Sequence, residues 1–149
     1  DVRIARIFNT YGERMRPDDG RVVNTFVVQA LRGEPLTLHG DGSQTRSFCH
    51  VSDEVRGLIA VLDGNITGPV NVGNPAEFTM RQLAELVVEL ARSSSAITAM
   101  PLPAEREGDP LKRQPDITLI ESAYGWHPSI ELREGLGRMI EHFRVNEQI

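Results

Sequence analysis

The chain has 149 residues and a formal net charge of −5, with 40% apolar and 25% charged residues. That length suits one domain, or one domain plus part of another, and the composition is an ordinary globular balance. The acidic balance argues against a nucleic-acid surface, which carries a basic face, and no apolar run approaches the roughly 18 residues needed to span a bilayer. One cysteine, Cys49, excludes an internal disulfide and a thiolate metal cluster, and fits a reducing, cytoplasmic setting. Lys112 is the only lysine, so the basic charge is almost all guanidinium, the fork that pairs with phosphate through two hydrogen bonds.

Residues 2–8, "VRIARIF", read as a strand already under way, running into the polar pair Asn9-Thr10. With no initiator methionine before it, the chain is expected to be a fragment of a longer protein. Strand 2–8 would then be short of neighbours, an exposed edge prone to self-association or disorder over residues 1–20. After the charged loop "NTYGERMRPDDG", apolar residues at Val22, Val23, Phe26, Val27, Ala30 and Leu31 predict a helix with one buried face, ended by Gly33. "LTLHG" (36–40) is a short strand, "DGSQ" a turn and "TRSFCHV" a second extended piece. Ser52 or Asp53 is placed to cap the next helix, which carries Val55, Leu58, Ile59 and Leu62 on one face. "GPVNVGN" (68–74) is a strand between glycines. Thr79 and Gln82 form a capping box for a helix bearing Leu83, Leu86, Val87, Leu90 and Ala91. "AITAMPL" (96–102) is a strand candidate, and 103–116 an exposed, ordered loop. A short helix follows Pro115-Asp116. The last helix sets Leu132, Leu136, Met139, Ile140 and Phe143 on one side. Strands alternate with helices, so the class is α/β or α+β.

The four histidines show no metal-ligand spacing, and no metal is expected. "GDGSQTR" follows a strand but does not open a helix, so it is not a dinucleotide turn. Its glycines, Gly40 and Gly42, suit a tight turn. What remains is a set of arginines in polar loops after strands: Arg21, Arg46 and Arg113. Such loops are where an α/β protein holds an anion. Spacing alone favours the plainer reading, surface arginines paired with Asp18, Asp19, Asp109 and Asp116, since most charged residues are simply solvated. Cys49 reads as a small buried residue, and Trp126 as packing for the last helix.

In family order, "RIARIFNTYGERM", "DGRVVNTFVVQALRGEPLTLHGDGSQTRSF", "VSDEVRGL", "GPVNVGNP" and "GDPLKRQPDI" cover nearly the whole chain. They resemble the C-terminal half of the extended short-chain dehydrogenases/reductases that act on nucleotide sugars, the epimerase/dehydratase group, and most closely its UDP-glucuronate decarboxylase branch. The resemblance implies an α/β architecture: the substrate-binding part of an extended Rossmann fold, with one or more strands of the parallel sheet and a small α+β lobe. Residues 1–20 would be the terminal Rossmann strand and interdomain loop, and residues 21–149 the UDP-binding region.

The resemblance also implies a chemistry. UDP-glucuronate becomes UDP-xylose and CO2 with recycled NAD, a cofactor held mainly by an N-terminal half not in this sequence. The alternatives within the same resemblance are a 4,6-dehydratase or 4-epimerase fragment, and outside it a non-catalytic UDP-binding or interaction fragment. The family's Tyr-x-x-x-Lys motif is absent, so no catalytic residue is assigned and the chain alone is expected to be inactive. Asn9, His39, Arg46 and Arg113 match positions on the substrate side, His39 standing where the family more often has tyrosine. Thr10, Arg16 and Arg21 match positions on the cofactor side. Arg46 is expected at a strand edge, meeting UDP. The parent is expected to be a homodimer, with neither nucleic acid nor membrane as partner.

Overall fold

The computed structural model describes residues 1–104, 108–146 and 149. Along the chain run β1 (Ile4–Ile7), β2 (Thr10–Tyr11), α1 (Val22–Arg32), β3 (Leu36–His39), β4 (Thr45–Ser47), β5 (Cys49–His50) and α2 (Val51–Asp63). They are followed by β6 (Pro69–Val72), β7 (Glu77–Thr79), α3 (Met80–Ala91), β8 (Ile97–Met100), β9 (Lys112–Arg113), α4 (Thr118–Tyr124) and α5 (Leu132–Asn146). The fold is mixed α/β, built from short parallel strand pairs: β1 with β6, β2 with β5, and β3 with β8. The loop expected over 103–116 lies partly on residues 105–107, outside the described residues.

Helices α1, α3 and α5 pack together over β3. Their inward residues, among them Phe26, Val27, Leu83, Val87, Leu136 and Phe143, form the larger hydrophobic cluster. Each lies on an i, i+4 stripe, so one face of each helix is withdrawn from water. Burying such side chains is the main stabilising term, roughly 1.5–3 kcal/mol apiece. Thr79 caps α3 as the spacing predicts. Its hydroxyl accepts from the Gln82 backbone N–H at 3.0 Å, and the Gln82 side chain accepts from the Thr79 N–H at 2.8 Å.

A smaller cluster gathers Val61, Val70, Val72, Ile117, Ile120 and Trp126 under α2 and α4. Here the structure departs from two readings. The cap of α2 is His50, whose Nδ1 accepts from the Ser52 N–H at 3.3 Å, not Ser52 or Asp53. Asp53 is fully buried and instead accepts from the Ser129 and Ile130 backbone N–H groups at 2.9 and 2.8 Å, tying α2 to the segment before α5. The inward face of α2 is Asp53, Glu54, Gly57 and Val61, while Val55, Ile59 and Leu62 face outward. Gly57 explains the choice: a Cβ there would lie 2.4 Å from a Val72 methyl carbon. The helix thus approaches β6 on its small-residue side.

β1 pairs with β6, so residues 69–72 share a sheet with residues 4–7, and the other edge of β1 has no strand partner among the described residues. Trp126 is buried, its Nε1 donating to the Asp53 carbonyl at 3.2 Å, and Cys49 is buried as a free thiol.

Candidate functional site: a cleft lined by two arginines in register

A cleft of about 930 Å³ opens between the β1–β2 junction, the start of α1, the end of β3 and the strand β4. Its floor is apolar, with Val22, Phe26, Leu38, Phe48 and Met80 among its walls. The turn from β3 to β4 shapes one side. Gly40 and Gly42 have φ of 70° and 77°, a conformation that favours glycine, and a Cβ on Gly42 would meet Leu38 at 2.6 Å. Asp41 caps this turn, its carboxylate accepting from the Ser43 N–H and hydroxyl at 2.9 and 2.7 Å. Those two donors hold the carboxyl below its ordinary range. Gln44 then reaches back to the His39 carbonyl at 3.0 Å.

β4 is the centre of a three-stranded sheet, with β7 antiparallel on one side and β9 parallel on the other. The expectation that Arg46 sits at a strand edge is therefore corrected: it lies on the middle strand. The two strands that cover β4, the three-residue β7 and the two-residue β9, are too short to show a period-2 pattern. In the β4–β9 pair Arg46 is the register partner of Arg113. Register partners project to the same side of a sheet, and both residues line the cleft. Two like charges directly opposite are unfavourable unless something offsets them. Arg113 has Asp109 at 3.5 Å, and Arg46 donates through Nη1 to the carbonyls of Thr45 and Leu111 at 2.8 and 3.3 Å.

The cleft gathers six of the seven residues singled out from the sequence: Asn9, Thr10, Arg21, His39, Arg46 and Arg113. Asn9 is fixed by its side-chain amide to the Ser47 carbonyl at 3.2 Å, and Thr10 by its hydroxyl to the Phe8 carbonyl at 2.9 Å. His39 Nδ1 lies 3.4 Å from the Pro101 carbonyl. Arg21 precedes α1 and pairs with Asp19 at 3.2 Å. Arg16 is not among the lining residues. It is exposed and pairs with Asp18 at 3.0 Å. Sequence reasoning missed the apolar floor, whose residues look like ordinary core in a periodicity pattern.

Residues 1–73 match the model of the NAD dependent epimerase/dehydratase family. That match takes in just under half of this chain. The chain is 55% identical over 145 residues to UDP-glucuronic acid decarboxylase 3 of Arabidopsis thaliana, covering 97% of this chain and 42% of the relative. The UDP-glucose 4-epimerase of Thermotoga maritima, solved with UDP-glucose, superposes with a TM-score of 0.87 at 31% identity, over 94% of this chain and 45% of the other. The UDP-glucuronic acid 4-epimerase of Bacillus cereus, solved with UDP-glucuronic acid and NAD, superposes with a TM-score of 0.84 at 26% identity, over 96% and 45%. The chain thus spans less than half the length of each.

The family name implies NAD, and the residues present do not make a site for it. Among the described residues, α2 and α3 have their first amides taken by their own cap side chains, His50 and Thr79. Arg21 precedes α1 in place of a glycine-rich turn, so no phosphate-cradling strand–turn–helix is formed. No group of His, Cys, Asp and Glu suited to a metal occurs among the described residues, and no described helix is long and apolar enough to cross a membrane.

Proposed function

We propose that the chain is the UDP-sugar-binding portion of a UDP-glucuronate decarboxylase. The observation that carries this reading is the pairing of Arg46 with Arg113 across β4 and β9 at the wall of an apolar-floored cleft. Two guanidiniums at strand spacing match the two phosphates of a diphosphate, and the apolar floor suits a base. Asn9 and His39 supply further polar contacts to the substrate, and Thr10 and Arg21 lie toward the cofactor side of the same cleft. Arg16 lies outside the lining of the cleft.

Identity favours the decarboxylase over the epimerase and dehydratase alternatives: 55% against the Arabidopsis decarboxylase, 31% and 26% against the two epimerases, and 30% against a dTDP-glucose 4,6-dehydratase from Streptomyces venezuelae, all over nearly the whole chain. NAD supplies reversible hydride transfer in such an enzyme. It would be held mainly by residues outside these 149, with Thr10 and Arg21 of this chain on its side of the cleft. The division of the chain at residue 20, the cytoplasmic setting and the homodimeric parent belong to the same proposal, and the chain alone is inactive.

Calorimetric titration of the full chain with UDP tests the reading. UDP is expected to bind, and Arg46→Ala or Arg113→Ala to weaken it about tenfold or more, the value of one charged hydrogen-bonding partner. Binding undiminished in both variants, or no binding to a folded chain at millimolar UDP, would overturn it.

A further inference from the structure

β9 is the loosest wall of the cleft. It is two residues long, both are exposed, and one of them is Arg113. Arg46 and Arg113 stand opposite each other across β4 and β9, and like charges in that position push the two strands apart. Asp109 softens the charge on Arg113 but lies on the same segment, so it does not tie β9 to β4. The Thr45 N–H does, donating to the Leu111 carbonyl at 2.9 Å, and Arg46 Nη1 reaches the same carbonyl at 3.3 Å. A ladder this short offers few such bonds.

A further tie runs over the opposite face of the sheet. Alternation places the register partners Thr45 and Lys112 on the face away from Arg46 and Arg113, and neither lines the cleft. Glu77 of β7, the partner of Ser47, shares that face. Its Oε1 accepts from the Thr45 hydroxyl at 2.8 Å, and its Oε2 pairs with Lys112 Nζ at 2.8 Å. β7 and β9 lie two strand spacings apart, roughly 10 Å. The glutamate arm and the lysine stem close that distance over β4, so one carboxylate joins all three strands. Lys112 and Thr45 hold the Glu77 carboxyl below its ordinary range, which keeps it ionised at neutral pH. β7 itself is anchored, since Phe78 packs against the larger hydrophobic cluster and Thr79 caps α3. The clamp fastens a loose strand to a fixed one.

We propose that Glu77 is a positioning residue for the ligand cleft: through Thr45 and Lys112 it holds β9 on β4 and so keeps Arg113 beside Arg46. Glu77 itself lies outside the cleft lining. The functional half of this proposal rests on the nucleotide reading of the cleft, and the clamp itself does not. A plain surface ion pair would act on UDP only through its charge, and the sign of the effect then differs. Removing the Glu77 carboxylate takes a negative charge away from an anion site, so charge alone tightens UDP. Releasing β9 weakens UDP, because Arg113 is no longer held in advance where a diphosphate meets both guanidiniums.

Calorimetry with UDP on a double-mutant cycle of Glu77→Ala and Arg113→Ala tests the functional half. Glu77→Ala alone is expected to weaken UDP about threefold, within what an ion pair half in solvent supplies. In the Arg113→Ala background the same change should bring no further loss, since the residue it positions is gone. Unchanged or tighter binding in Glu77→Ala overturns the positioning role, and so does an equal loss in both backgrounds. Lys112→Ala enters the same cycle from the exposed end of the clamp and decides the case if Glu77→Ala does not fold. Its loss should be larger with Arg113 present than without, and equal losses overturn the role.

Amide hydrogen exchange followed by NMR on the ligand-free full chain tests the clamp by itself. The Thr45 N–H, bonded across β4 and β9, should exchange several-fold faster in Glu77→Ala and in Lys112→Ala than in wild type. The Leu36 N–H, bonded to the Ala96 carbonyl at 2.8 Å in the β3–β8 pair, should be unchanged. Thr45 exchange that is the same in all three proteins overturns the proposal, as does equal acceleration of both amides. If UDP binds none of the proteins, the nucleotide reading fails, and this exchange alone decides whether Glu77 holds β9.

Discussion

The cluster closed by α1, α3 and α5 leaves Leu83, Leu136, Met139 and Phe143 with no exposed surface, because three helical stripes converge on it from different sides. The cluster around β6 and Trp126 has only one helical roof of comparable length, and that roof, α2, turns Gly57 and Val61 inward and its larger apolar residues outward. The first region is held mainly by packing, with its polar ties, such as Arg133 to Glu89, at the exposed rim. The second is held by a polar pin, since Asp53 gathers donors from Ser129, Ile130 and Arg56 in a place where few large side chains meet. The difference teaches where each region is vulnerable: the first to lost volume, the second to lost hydrogen bonds and to acid.

The largest effect should follow from opening the packed region. Phe143→Ala is expected to lower stability by about 3–5 kcal/mol, as deletion of a buried aromatic leaves a cavity that helices cannot close. Urea unfolding would show it as a shifted midpoint, and a loss under about 1 kcal/mol would mean that α5 is not integral to the core.

Next is the polar pin. Asp53→Ala removes the acceptor of two part-buried backbone N–H groups and of the Ser129 hydroxyl, at about 2 kcal/mol. Burial acts to raise the Asp53 carboxyl, but the Arg56, Ile130 and Ser129 donors outweigh it and hold the group below its ordinary range. A group depressed in the folded state contributes stability that is present above its unfolded value of about 3.9 and is lost as pH falls through the folded value. Wild type and Asp53→Ala should therefore converge in urea midpoint as the solution is acidified below about pH 4. Parallel profiles down to low pH would assign the second region's stability to Trp126 and Ile120 instead.

Much of the packed region was legible in the sequence because its signals are local. The stripes on α1, α3 and α5, the Thr79–Gln82 box and the glycines of the β3–β4 turn each act within a few residues, and each appears where the spacing puts it. The second region was misread because its signals are distant. Nothing near Asp53 shows that its partners are Ser129 and Ile130, so a cap was the local inference. Nothing within α2 shows that Gly57 faces β6, and the local pattern points to the large apolar residues instead. The cleft lies between these cases. Arg46 and Arg113 could be singled out one at a time, yet their adjacency exists only through the register of two short strands that pairs residues far apart in sequence.

The smallest effect is expected on the outward face of α2, and it is the sharpest test of the comparison. Ile59 is 52% exposed and Leu62 69%, against full burial for Leu83, Leu136 and Phe143 on the inward stripes of the packed region. Replacing Ile59 with serine removes little buried area, so the transfer term nearly vanishes. What remains is the lower helix propensity shared by isoleucine and serine, which rank together. Ile59→Ser should therefore change stability by less than about 0.5 kcal/mol, the usual range for a surface site. Removing a branched apolar side chain from an open stripe should also reduce any concentration-dependent association seen by sedimentation velocity. A loss of more than about 1 kcal/mol would show that this face is covered in solution and that the contrast between the two regions is a matter of degree.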